Sequence, residues 1–214
     1  MSQITANAPA HCPLCPRLVA LRQELRAKEP SWHNAPVASF GVQNAALLIV
    51  GLAPGRTGAN RTGRPFTGDF AGDLLYATIS KYGFSTGKYD ARPDDGLSLS
   101  GAMITNAVGC LPPQNKPLGA EIANCRRFLK AQIDALADLR AILVLGRIAH
   151  ESVLRAFDVK LRDASFSHGS RHALGPDLSL FDSYHCSRYN TNTRRLTPEM
   201  FEAVFIDIRA LLDG

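Results

Sequence analysis

The sequence predicts an α/β protein of three layers, α/β/α, with helices on both sides of a central, mostly parallel four-stranded sheet. Three observations carry that expectation. Four short apolar runs, at 45–50, 103–108, 141–146 and 178–184, are nearly continuous rather than alternating, as strands buried on both faces are. Segments with apolar residues at helical spacing stand between and after them. Strand and helix therefore alternate along the chain, the pattern of parallel strands joined by crossover helices.

Taken in order, Leu18, Leu21 and Leu25 fall near helical spacing and predict a helix ending at Lys28, whereas 29–43, with Pro30, Trp32 and Pro36, reads as a loop into the first strand. Phe70, Leu74, Leu75 and Ile79 mark one face of a helix over 70–82, and 83–101 reads as a polar, glycine-bearing loop into the second strand. Ile122, Cys125, Phe128, Leu129 and Ile133 predict a helix over 118–136. The third strand is followed by a helix over 148–157. A turn-rich, histidine-bearing stretch, 165–177, leads to the fourth strand, and Pro198 opens the last helix, with Met200, Phe201, Val204, Ile208 and Leu211 on its apolar stripe.

The connection after the first strand, 51–69, holds five glycines, at 51, 55, 58, 63 and 68. A connection this long is more often functional than a mere link, and glycine lets the backbone approach a ligand or take positive φ. Two nucleotide-binding readings fail. No Gly-Lys-Ser/Thr follows the spacer, and the glycines are too far apart for a dinucleotide fingerprint. In parallel sheets ligands bind at the carboxyl ends of the strands; there the sequence places this loop, Asn106 after the second strand and His185 after the fourth.

With 214 residues and 45% hydrophobic content, the expectation is one domain over 1–214 with a full core. A formal charge of +5 favours a polyanionic partner. The N-terminal residues lack the basic start and apolar core of a signal peptide, and no run is long enough to span a bilayer. A soluble, cytoplasmic protein with no membrane association is expected.

Of five cysteines, Cys12 and Cys15 form a close pair, and Cys110 and Cys125 fall in a later loop and helix. Structural disulfides are not expected of an intracellular chain. Four thiolates can bind tetrahedral zinc or an iron-sulfur cluster, and residue chemistry leaves both open. Cys186, the odd one out, reads as packing or loop geometry.

With these pieces placed, the sequence resembles the uracil-DNA glycosylase superfamily, and within it family 5 (type b). Three motifs carry the resemblance: Gly51-Leu52-Ala53-Pro54-Gly55 through Asn60-Arg61-Thr62-Gly63-Arg64-Pro65-Phe66-Thr67-Gly68-Asp69, then Thr105-Asn106-Ala107-Val108, then His185-Cys186-Ser187-Arg188-Tyr189-Asn190. Leu52 stands where family 4 usually carries Glu. The resemblance implies a monomeric enzyme that hydrolyses the bond between deoxyribose and a deaminated base, uracil and also hypoxanthine or xanthine, in double- or single-stranded DNA. By the same analogy Cys12, Cys15, Cys110 and Cys125 hold a [4Fe-4S] cluster.

The chemistry reads onto named residues. The resemblance puts Phe66 against the flipped base and Asn106 at its edge, in a pocket that Gly51, Ala53 and Gly55 of the first loop help to build. His185 is to donate to a base carbonyl as negative charge develops. Asp69 is the candidate for orienting water or steadying the cationic sugar. Arg61, Ser187, Arg188, Tyr189 and Asn190 are the expected DNA contacts. Each has a plainer reading: Phe66 as core, Asp69 as helix cap, Asn106 as a strand-end turn. Their coincidence at one sheet edge favours the site. His150, His168 and His172 have no partner legible in sequence and read as structural; Arg126-Arg127 and Arg194-Arg195 read as solvated faces.

Two departures from the family pattern stand out. Cys186 replaces the proline of a common His-Pro-Ser, and Ala53 carries no polar group where other families place Asp or Asn to activate water. The latter absence is shared within family 5. It keeps open a non-catalytic iron-sulfur protein that binds DNA or senses redox state. A zinc-bound hydrolase acting on free nucleotides is a weaker third alternative.

Overall fold

The structure, a computed structural model, describes residues 6–214. The start of the N-terminal stretch considered above, residues 1–5, lies outside the described residues. The chain runs through α1 (Pro16–Lys28), β1 (Phe40–Gly41), β2 (Leu47–Gly51), α2 (Ala59–Thr62), α3 (Phe70–Lys81), β3 (Ser85–Thr86), β4 (Ser98–Leu99) and β5 (Ala102–Asn106). It continues through α4 (Gly119–Asp134), β6 (Ala141–Leu145), α5 (Arg147–Ala156), β7 (Arg171–Ala173), β8 (Ser179–Ser183), α6 (Arg188–Asn192) and α7 (Pro198–Asp213).

The four apolar runs become β2, β5, β6 and β8, all parallel, with Ile49 opposite Ile104 and Leu143, and Leu143 opposite Phe181. The sheet has six strands, not four. Its order is β1-β5-β2-β6-β8-β7, with both edge strands antiparallel to their neighbours. Those edges lie within 29–43 and 165–177, segments that read as loops. They are two and three residues long, too short to show a period of two, so the neighbouring strand rather than their own sequence defines them. A separate pair, β3 with β4, lies within the loop 83–101.

Successive strand residues point to opposite cores. Leu47, Ile49, Ile104, Leu143 and Phe181 pack with Leu75 and Ile79 of α3 and with Phe201 and Phe205 of α7. Leu48, Val50, Met103, Ile142 and Leu180 pack with Leu129 of α4 and Val153 of α5. Hence helices cover both faces. A third, small cluster joins Leu18 of α1 to Val108, Cys110 and Cys125.

Helix starts follow local chemistry. Asp69 caps α3 by accepting from the Gly72 amide, and Thr197 caps α7 by accepting from Met200 ahead of Pro198; such caps contribute about 1 kcal/mol each. The long connection 51–69 is not free of structure, because α2 forms within it and ends on Gly63 at φ 79°. No helix among the described residues is long and apolar enough to cross a membrane.

Candidate active site

Because four strands run parallel, their carboxyl ends share one edge, and a cleft of about 700 Å³ opens there. It brings together Ala53, Gly55, Phe66, Asp69, Asn106, His185, Ser187 and Arg188. Gly51 is not among the residues that line it, but stands opposite Asn106 in the β2/β5 register. A Cβ on Gly51 would stand 2.4 Å from Asn106 Oδ1 and 2.5 Å from Phe66 Cζ. Only glycine lets the amide and the ring close over the strand end. Phe66 itself is buried and sits at φ 54°, a left-handed conformation rare for an aromatic residue. Its carbonyl accepts from Tyr89 Oη at 3.2 Å, and Tyr89 Oη in turn accepts from the Gly68 amide at 3.3 Å. The Phe66 and His185 rings lie 5.9 Å apart at 30°.

Asp69 both caps a helix and faces the cleft. Its Oδ1 accepts from Gly72 N at 3.2 Å, while Oδ2 lies over Gly58 and Gly55, where a Cβ would come within 2.4 and 3.0 Å of it. Burial pushes its pKa up, against the pull of the Gly72 and Ala71 amides. It is the acidic side chain among the residues lining the cleft.

His185 is held by the chain around it. Asn190 Nδ2 donates to the His185 carbonyl at 2.8 Å, and Ser187 Oγ caps α6 by accepting from Asn190 N. Burial lowers the His185 pKa to about 4, so the ring is neutral near pH 7. Its Nδ1 is buried without a protein partner among the described residues. A buried polar atom left open at a cleft wall is suited to a ligand.

The remaining candidates diverge. Arg188 and Tyr189 start the short helix α6 rather than a plain loop. Arg188 lines the cleft, with its guanidinium 5.1 Å from the Phe70 ring centre, and Tyr189 is 72% exposed. Asn190 is engaged with His185. Arg61 lines a neighbouring groove beside Trp32 and His33, not the cleft. Two exposed arginines not singled out in the sequence, Arg56 and Arg147, do line it. Arg147 follows Gly146 at the β6 end, so the third strand also contributes. The signal was Gly146, φ 96°, at a strand-to-helix junction.

Cys12, Cys15, Cys110 and Cys125 line one small apolar cavity between α1 and α4. Arg22 Nη1 approaches Cys110 Sγ at 3.8 Å and Asn124 Nδ2 approaches Cys15 Sγ at 3.7 Å. Burial pushes the Cys110 and Cys125 thiols up to about 11 and about 12. Among the described residues, the thiols do not form a set with all donor atoms within 4.8 Å of one another. Four sulfurs around one tetrahedral zinc stand about 3.8 Å apart. Cys186 is elsewhere, fully buried, with its thiol donating to Ala71 O at 3.4 Å.

The histidines have partners after all. His150 and His172 both meet the buried Asp182, and His168 Nδ1 accepts from the Tyr184 amide at 3.2 Å. Arg126 is also not a plainly solvated residue, since its Nε is buried without a partner among the described residues.

Comparison with known proteins gives the chain a family. The family model of the uracil DNA glycosylase superfamily matches residues 38–209. A type-5 uracil-DNA glycosylase of Thermus thermophilus is 43% identical, over 94% of this chain and 93% of its own length. Proteins of the same description from Mycobacterium leprae and Pyrobaculum aerophilum are 41% and 37% identical, covering 94% and 92% of this chain and 91% and 88% of theirs. The chain therefore belongs to the uracil-DNA glycosylase superfamily, alongside its type-5 members.

Proposed function

We propose that this chain is a monofunctional glycosylase that takes uracil, and also hypoxanthine and xanthine, out of DNA and hydrolyses the N-glycosidic bond to leave an abasic site. The observation that carries the reading is the convergence of Phe66, Asp69, Asn106 and His185 on one cleft. A flipped base stacks on Phe66 while Asn106 meets its edge. His185, neutral, donates to a base carbonyl as the leaving base becomes anionic. Asp69, ionised, orients water and steadies the sugar as it turns cationic. Arg56, Arg147 and Arg188 at the rim attract phosphates, and the exposed Tyr189 is suited to fill the vacated stack.

Duplexes carrying a single uracil, hypoxanthine or xanthine, treated with the protein and then alkali, are expected to break at the modified base. No scission at any salt concentration would leave the non-catalytic reading; activity on free nucleotides alone would leave the monomer hydrolase. The pH profile tests the roles. The active form of Asp69 is deprotonated, so the single-turnover rate falls as pH drops through a value that burial holds above the ordinary carboxylate range. Near the ordinary imidazole value no second limb is expected, because His185 titrates only at about 4. Asp69→Asn slows cleavage and abolishes the carboxylate limb while DNA affinity stays near that of the parent.

The four thiol donors Cys12, Cys15, Cys110 and Cys125, gathered on one apolar cavity, suit a [4Fe-4S] cluster. The apolar walls and the N–H groups of Arg22 and Asn124 aimed at sulfur support it. Such a cluster supplies a covalent clip between the N-terminal segment and the sheet-covering helices. Protein purified without oxygen is expected to carry iron, less of it after Cys110→Ser and as much after Cys186→Ser. Iron-free parent protein that folds and cuts would overturn the assignment.

A further inference from the structure

Behind β8, on the face of the sheet covered by α5, three side chains meet outside the cleft and outside the cysteine cavity. His150 Nδ1 lies 2.7 Å from Asp182 Oδ1, and His172 Nε2 lies 3.0 Å from Asp182 Oδ2. His150 and Asp182 are fully buried, and His172 retains 17% exposure. These three donor atoms all fall within 4.8 Å of one another.

The hydrogen bonding around the trio constrains where its protons can sit. His150 Nε2 lies 2.9 Å from the Ala164 carbonyl. A carbonyl only accepts, so this nitrogen carries the proton. In the neutral ring Nδ1 is then a lone pair, pointed at a carboxylate oxygen. Two lone pairs 2.7 Å apart repel unless a cation stands between them: a second proton or a metal ion. Asp182 is fixed in turn, since its Oδ2 accepts from the Ser167 amide at 3.2 Å. A histidine whose far N–H is held by a backbone carbonyl, and a carboxylate held by an amide, are the outer bonds that orient metal ligands.

We propose that His150, His172 and Asp182 bind one divalent transition-metal ion of the zinc class, through His150 Nδ1, His172 Nε2 and the Asp182 carboxylate. Two imidazoles and a carboxylate are a borderline nitrogen and oxygen donor set, matched to zinc and its neighbours rather than to calcium or magnesium. Ligand atoms on one tetrahedral ion with metal bonds of about 2.0–2.2 Å stand about 3.3–3.6 Å apart, so binding requires the His150 and His172 contacts, now 2.7 and 3.0 Å to the two oxygens of Asp182, to open around the ion. The partly exposed edge at His172 provides entry and a place for a water ligand. The ion joins the edge strand β7, the strand β8 and the helix α5. Since β8 runs directly into His185, three residues beyond Asp182, the ion stiffens the strand end that carries the cleft histidine.

The test uses the intact protein with its cysteine cavity filled by iron, so that added zinc does not titrate thiols. Isothermal titration with zinc chloride, together with elemental analysis after gel filtration, is expected to show one zinc per chain and a rise in melting temperature. His172→Gln, at the most exposed ligand, is expected to lose the zinc and the temperature rise while keeping its fold by circular dichroism and its iron content. Asp182→Asn supplies a second, independent variant. No zinc uptake by the folded parent, or equal uptake by parent and a folded His172→Gln protein, overturns the site and leaves a proton between His150 and Asp182. Uracil excision is measured in parallel, and its absence would bear on the glycosylase reading without touching the zinc stoichiometry.

Discussion

His185→Ala and Asn106→Ala are each expected to lower the single-turnover rate of uracil excision on the order of 10²-fold, the loss typical of one pre-placed donor to a developing anion. The reason lies in where charge appears. The leaving base gains negative charge that the bound substrate lacks, so a donor already in position stabilises the transition state more than the ground state. His185 is suited to this because the Asn190 amide holds its carbonyl, its ring faces Phe66, and Nδ1 has no protein partner to give up among the described residues. Asn106 is fixed over Gly51, whose missing Cβ leaves the space its Oδ1 occupies. Rapid-quench kinetics at saturating enzyme, paired with anisotropy measurements of DNA binding, separate lost chemistry from lost affinity. Full activity in Asp69→Asn together with collapse in Asn106→Ala would instead give water positioning to Asn106 and leave Asp69 as a helix cap.

The sequence made the centre of this fold legible and hid its margins, for physical reasons that particular residues show. The strands β2 and β6 are buried at every position, so their runs stand out against any background. The edge strands β1 and β7 are too brief to carry a pattern, and exist because β5 and β8 offer unpaired backbone. At Asp69 the sequence posed cap and cleft as rival roles. One carboxylate oxygen does the first, and the other lies over Gly55 and Gly58 on the cleft wall. Arg61 was assigned by membership of a motif, but α2 and the left-handed turn at Gly63 carry it to another groove. Arg147 was overlooked because its neighbourhood read only as a strand end followed by a helix. Asp182 was the most informative residue passed over. An acid inside an otherwise apolar strand is almost never buried unless paired, and two of the three histidines left without partners, His150 and His172, are its partners.

Asp95→Asn is expected to destabilise the fold by about 3–5 kcal/mol, the cost of leaving a buried cation without its counterion. Arg64 is 5% exposed, and its two terminal nitrogens each donate to an Asp95 oxygen at 2.7 Å, a bidentate pair. Its Nε donates to Thr67 Oγ1 at 2.7 Å, and its guanidinium lies 5.2–5.8 Å from the ring centres of Phe40, Tyr76 and Tyr89. Asp95 also accepts from the Asp90 and Leu97 amides, so the pair ties the loop between β3 and β4 to the residues flanking Phe66. Arg64 beside it holds the Asp95 carboxyl far below the usual carboxylate range. A depressed pKa means stability that is fully present above the unfolded-state value and lost as pH falls toward the folded-state value. The gap between parent and Asp95→Asn should therefore be full near neutrality and narrow in acid. Arg64→Met with Asp95→Asn removes the stranded charge and should cost less than the sum of the two single variants. Urea denaturation at neutral and acid pH measures all three. A loss below about 1 kcal/mol for Asp95→Asn, with an unchanged excision rate, would show that the pair neither stabilises the fold nor holds the left-handed turn at Phe66.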